Sequence, residues 1–146
     1  DAAASSPRIY CSNGMGKVFA CDLQGRVLEQ RPGRNGSTAA FGQLTGDERF
    51  EFAVLDGKKL SISTWDKPLF IIQSPEKQHT VFITHQQQLG TVDKHGRRIW
   101  LLDSDGKCLP GFPLGGNTKF ETCQLNGVDM LIVGNGNSVW AYRRRK

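Results

Sequence analysis

Slid along itself, this 146-residue sequence matches over two long segments. Lys17–Ile62 lies over Arg98–Ala141, with Asp22 on Asp103, Gly25 on Gly106, Leu28 on Leu109 and Gln43-Leu44 on Gln124-Leu125. Past a polar loop the offset shortens by two residues, and Val54 meets Val133, Gly57 meets Gly136 and Leu60 meets Val139. A slip of that size belongs in a loop, where insertions and deletions concentrate. The offset is about 80 residues, whereas a single four-stranded repeat takes ~40–50. The repeating interval therefore holds two units, and the chain as a whole holds three to four.

The content of each unit is legible from alternation and turn residues. Lys59–Trp65 places Leu60, Ile62 and Thr64 on one face and Lys59, Ser61 and Ser63 on the other, the period of a strand. Asp56-Gly57 before it reads as a type I′ hairpin turn. Arg98–Leu102, the turn Asp103-Ser104-Asp105-Gly106 and a strand over Lys107–Leu114, broken at Pro110-Gly111, form the most distinctive hairpin. The same reasoning puts strands at Arg8–Ser12, Lys17–Asp22 and Arg26–Gln30, then at Ser37–Leu44, Phe50–Leu55 and Leu69–Gln73. Further strands fall at Thr80–His85, Gln88–Asp93, Thr118–Leu125, Asp129–Val133 and Ser138–Arg143. No window carries apolar residues at helical spacing behind a capping residue, so no helix of functional length is expected. Short strands punctuated by 17 glycines predict an all-β fold.

The order "strand, D-x-x-G, strand, small residues, Q-L-x-G-D, apolar strand ending in G" resembles β-propeller repeats of the FG-GAP/VCBS and PQQ-like kind. Leu102–Leu114, LDSDGKCLPGFPL, is similar to the LDxDGKxLPGFPL hairpin of bacterial, Bacteroidetes-like envelope propellers, and Leu131–Gly134 with Val139–Tyr142 resembles a terminal strand pair of the same proteins. The resemblance implies a β-propeller-like array of antiparallel four-stranded blades over residues 8–143, in the order partial (Arg8–Gln30), full (Ser37–Gln73), full (Thr80–Leu114), partial (Thr118–Arg143). Residues 1–7 read as a disordered lead-in or linker and 144–146 as a basic tail. Three to four blades fall short of, or only just reach, the four to eight of a closed ring. An incomplete ring leaves blade edges open to another chain, either the rest of a longer propeller or a second copy. A monomer would instead close one mixed sheet from the two partial groups. The resemblance also implies a bacterial cell envelope or periplasm.

Charge and cysteines exclude more than they suggest. The net charge is +5, and four of those charges are Arg143–Lys146. That end reads as a solvated tail, so neither nucleic acid nor membrane insertion is expected. No apolar run approaches the ~20 residues of a membrane-spanning helix. Cys11, Cys21, Cys108 and Cys123 lack zinc-site spacing. They read as mostly buried free thiols, although Cys11 and Cys21 flank a hairpin and could meet across it.

No catalytic, cofactor or metal residue is assigned. Asp103 and Asp105 supply two carboxylates where calcium takes about six or seven oxygens, and the loops starting at Gln43 and Gln124 begin with an amide. Ala20, Asp22 and Gly25 fit part of a quinoprotein blade, but Gln24, Glu29 and Pro110 depart from it, so no quinone cofactor is implied. His79, His85 and His95 read as scattered surface residues without metal spacing. Trp65, Trp100 and Trp140 lie in comparable strands; they read as rings packing between sheets, with a sugar-stacking surface as the other use. The expected function is a non-enzymatic structural or protein-interaction module, working through a protein partner or self-association. A glycan-binding module is the alternative.

Overall fold

The computed structural model describes residues 7–143 apart from positions 35, 47, 48 and 75; most of the lead-in and the whole basic tail lie outside the described residues. Fourteen strands and no helix are found in them. They form four antiparallel sheets in chain order. The first is β1 (Ile9–Ser12), β2 (Val18–Cys21) and β3 (Val27–Arg31). The second is β4 (Thr38–Gly42), β5 (Glu51–Asp56), β6 (Lys59–Thr64) and β7 (Pro68–Gln73). The third is β8 (Thr80–Ile83), β9 (Leu89–Asp93), β10 (Arg98–Leu102) and β11 (Leu114–Gly115), and the fourth is β12 (Phe120–Leu125), β13 (Val128–Asn135) and β14 (Ser138–Arg143). The order partial, full, full, partial is that of the sequence repeat. Among the described strands the two partial groups stay separate sheets; they do not merge into one mixed sheet.

The repeat is reproduced bond by bond. Asp22 Oδ1 accepts the N–H groups of Gln24 and Arg26, each at 2.9 Å. Asp103 Oδ1 accepts those of Asp105 at 3.0 Å and Lys107 at 2.8 Å. Gly25 and Gly106, both at φ +79°, close the two turns by donating to the Asp carbonyls. A positive φ at that position is why the turn needs glycine. The paired hairpins match as well, with Gly57 at φ +62° and Gly136 at φ +63°. Only the first central residue of the Gly57-Lys58 loop has a positive φ, which is a type II′ arrangement and not the expected I′. Asn126-Gly127, at +51° and +76°, is the hairpin turn with both residues left-handed.

One expected strand is largely missing. Past the turn at Asp103, only Cys108 pairs with Leu102 before the chain leaves the sheet edge, turns at Leu109–Phe112, and rejoins β10 at Leu114–Gly115. Pro110 and Pro113 cannot donate ladder hydrogen bonds, so Lys107–Leu114 does not hold a continuous strand.

Burial follows the sheet faces. Side chains of the second and third sheets that face each other, including Ala53, Leu55, Ile62, Val81, Leu89 and Trp100, form one apolar layer. The opposite face of the third sheet, through Phe82, Val92 and Ile99, packs on Phe120, Leu131 and Val133 of the fourth. The third sheet is thus covered on both faces, which accounts for its near-continuous apolar strands. The buried carboxylate of Glu51, 1% exposed, ties the β4–β5 loop to β5 by accepting Leu44 N–H at 2.6 Å and the Thr45 hydroxyl at 2.7 Å.

Candidate functional site

The first and second sheets meet through aromatic and charged side chains instead of aliphatic ones. Alternation on β1 turns Tyr10 toward the second sheet, where its ring lies 5.7 Å from Phe50, 5.8 Å from Trp65 and 6.4 Å from Phe41. Arg31, at the end of β3, places its guanidinium 5.3 Å from the ring centres of both Phe52 and Trp65. That is cation–π range. Glu29 on β3 accepts the Trp65 indole N–H with one oxygen and pairs with Arg8 through the other at 2.8 Å. At one end of this interface the strand ends and turns open a cleft of about 590 Å³, lined by Arg8, Tyr10, Glu29, Phe50, Trp65 and Asp66 among others. Phe50, just before β5, is 51% exposed at its rim. At the other end of the same strands a second cleft of about 470 Å³ carries Arg31, Arg34, Lys59 and Asp56, with Arg34 and Asp56 paired at 3.3 Å.

The first cleft has an aromatic floor and a rim bearing both signs of charge. Such a surface accepts an apolar or aromatic side chain on its floor and the backbone or charges of the same segment on its rim. Of this set the sequence singles out Trp65 as a stacking residue and Glu29 only as a departure from a quinoprotein blade. Tyr10, Glu29, Phe50 and Arg31 come from segments that nothing local links. In sequence the Phe50-Glu51-Phe52 alternation reads only as the start of a strand.

The three tryptophans do not converge. Trp65 packs on the first sheet, Trp100 is buried between the second and third, and Trp140 lies over Gly115 of the third. Each belongs to the third strand of its own sheet, or to the turn after it, and each leans on the preceding sheet. They lie against three different sheets, Trp100 buried and Trp140 still 44% exposed, so they do not share one surface.

The histidines divide differently from the expected scatter. His85 is exposed. His79 is largely covered, packs edge-on against His95 with ring centres 4.5 Å apart, and lies 3.3 Å from Asp93. Its Nδ1 accepts the Lys94 N–H at 3.3 Å. Burial holds its pKa below the ordinary imidazole value; His95, Lys77 and Lys94 add to this, and Asp93 opposes it. The group ties the segment entering β8 to the β9–β10 turn. Among the described residues no cluster of three or more His, Cys, Asp or Glu is placed to hold a metal ion. The calcium-like turn spends its Asp103 oxygen on two backbone N–H groups. All four cysteines are free thiols, and Cys11 and Cys108 are exposed rather than buried. Cys11 and Cys21 do approach across their hairpin, and burial, followed by the hydrogen bond with Cys11, pushes the Cys21 pKa up.

No protein-family model and no curated protein matches the chain. Solved structures do. The chain is similar to BBS1N, crystallised in complex with ARL6DN, at TM-score 0.66 and 13% identity over 98% of this chain and 49% of that one. It is similar to the Neurospora crassa Pan2 WD40 domain at TM-score 0.58 and 8% identity, over 94% and 48%. It is similar to virginiamycin B lyase from Staphylococcus aureus at TM-score 0.57 and 10% identity, over 95% and 53%. These are propeller-type folds. The chain is an all-β, propeller-like array of blades, and it spans about half the length of the structures it matches.

Proposed function

We propose that the chain is a non-enzymatic protein-interaction module of a bacterial propeller protein, and that the cleft between the first and second sheets holds a polypeptide segment of its partner. The observation that carries this is the Tyr10–Trp65 floor with Phe50 at its rim, open at the loop ends of the sheet pair and lined by Arg8, Glu29 and Asp66. Aromatic residues in such positions supply most of the binding energy at protein interfaces. The crystallisation of the similar BBS1N with a protein partner supports the class. The D-x-x-G turns at Asp22 and Asp103 favour the FG-GAP/VCBS or PQQ-like kind of repeat, and with it an envelope setting.

The test is selection from a displayed peptide library, repeated with Phe50→Ala and Tyr10→Ala. Peptides that bind the parent chain and lose at least tenfold in affinity to both variants support the reading. Failure to enrich any peptide overturns it. The half-exposed Phe50 beside Trp65 also offers a sugar-stacking edge, which is the second reading. Binding on a glycan array that Phe50→Ala abolishes, with no peptide enriched, would establish that one instead.

A further inference from the structure

The second and third sheets, each complete with four strands, do not fill the gap between them. Between the third and fourth sheets the rings of Phe82, Phe112 and Phe120 pack together. Between the second and third a cavity of about 230 Å³ remains. Its apolar walls are Leu60 and Ile72 on one side and Leu102 with the ring of Trp100 on the other. The turn after β10 closes part of it at Gly106, where a Cβ would overlap Ile72 Cδ1. The equivalent turn at Gly25 has nothing within 4 Å of that position, so only the second copy of the turn walls a cavity. Gln73 and Cys108 line it and are exposed, and they mark its mouth.

The polar part of the lining is Ser74, Gln78 and Thr91. Gln78 is 4% exposed. Its Nε2 donates to Ser74 Oγ at 3.1 Å and to the Glu76 carbonyl at 3.3 Å, which sets the orientation of the amide. Its Oε1 is buried and has no hydrogen-bond partner among the described residues. Buried polar side-chain atoms seldom go unpaired, and one that does beside a cavity asks for a donor. No Asp, Glu, Lys or Arg lines the cavity among the described residues, so nothing there offsets a charge.

We infer that this cavity binds a small uncharged aromatic molecule with one hydrogen-bond donor, of the phenol or indole class. Its ring lies against Trp100 and its O–H or N–H is given to Gln78 Oε1. The size follows from the volume. A cavity of ~150 Å³ takes benzene, and pockets for drug-sized ligands begin at ~300 Å³. About 230 Å³ therefore suits one ring or two fused rings. The cavity shares no lining residue with the cleft proposed for a partner, so it stands or falls independently of that reading.

The experiment is calorimetric titration of the full chain with indole and with benzofuran, which has the same shape and no N–H. Indole is expected to bind, and benzofuran to bind about tenfold more weakly, the difference one hydrogen bond makes. Gln78→Met, close in size and without the acceptor, should bring indole down to the affinity of benzofuran. Cys108→Phe, at the exposed mouth, should abolish binding of both. Circular dichroism checks that the variants are folded. Indole should also slow alkylation of Cys108 by iodoacetamide, followed by mass spectrometry of the Cys108 peptide. Binding of neither ring would overturn the inference. So would equal affinity for the two rings, or indole binding that is unchanged in folded Gln78→Met and Cys108→Phe. Should Gln78→Met fail to fold, the comparison of indole with benzofuran on the wild type still decides the role of the donor.

Discussion

Gly25 and Gly106 offer a controlled measurement of what packing adds to backbone strain. They close equivalent turns at the same φ of +79°. A Cβ at Gly25 meets nothing within 4 Å, whereas at Gly106 it overlaps Ile72 Cδ1 and lies 2.7 Å from Ile72 Cγ1 and 3.1 Å from Phe70 Cε2. Both alanine substitutions force an L-residue into the left-handed region, at ~1–2 kcal/mol. Only Gly106→Ala also overpacks an apolar layer, which adds ~1–3 kcal/mol. Gly25→Ala should therefore cost about 1–2 kcal/mol and Gly106→Ala about 2–5 kcal/mol. Urea denaturation followed by tryptophan fluorescence reads both as shifts of midpoint at unchanged slope. In an Ile72→Ala background the two costs should converge, since the truncated side chain makes room for the added methyl. Equal costs in the parent chain would refute the reasoning, as would a gap that survives in the Ile72→Ala background.

Glu51→Ala leaves the Leu44 N–H without its acceptor in a buried position. It should destabilise the fold by ~1–3 kcal/mol for that unmet group, with faster hydrogen exchange at the Leu44 amide. Trp100→Ala empties the layer between the second and third sheets and should cost ~3–5 kcal/mol in the same urea titration. Because burial lowers the His79 pKa, the unfolded chain binds the proton first as pH falls; the His79 contribution is full above about pH 6.5 and is lost below it. His79→Gln should flatten this acid-side drop in thermal midpoint, and an unchanged profile would assign the drop to other groups. Calcium should leave the thermal midpoint unchanged, since Asp103 Oδ1 is already occupied by two N–H donors; a rise that Asp103→Asn abolishes would show that the turn can release it.

Much of the fold was legible because its determinants are local. The alternation of Lys59–Trp65 and the Asp-x-x-Gly turns name strands and connections within a few residues of themselves, and the structure reproduces them down to matching φ values. Two of the failures have equally local causes. Lys107–Leu114 keeps the composition of a strand, but its two prolines remove ladder donors. The Asp56-Gly57 dipeptide suggests a I′ turn, but the register makes Gly57-Lys58 the loop. His79 looked like one of three scattered residues because its partners, Asp93 and His95, arrive on the next hairpin.

The candidate site was almost illegible for a related reason. Tyr10, Glu29, Phe50 and Trp65 stand on three hairpins, and in sequence each is an ordinary strand or turn residue. Only the stacking of the first sheet on the second brings an indole N–H to a carboxylate and a guanidinium over two rings. The sequence by itself determined where most strands and turns fall and that the unit repeats, because period-two alternation and positive-φ glycines act over a few residues. The tertiary structure decided which apolar face meets which. In a repeat protein most sheets are apolar on both sides, so the choice of neighbour, and with it the cleft, depends on how whole sheets stack.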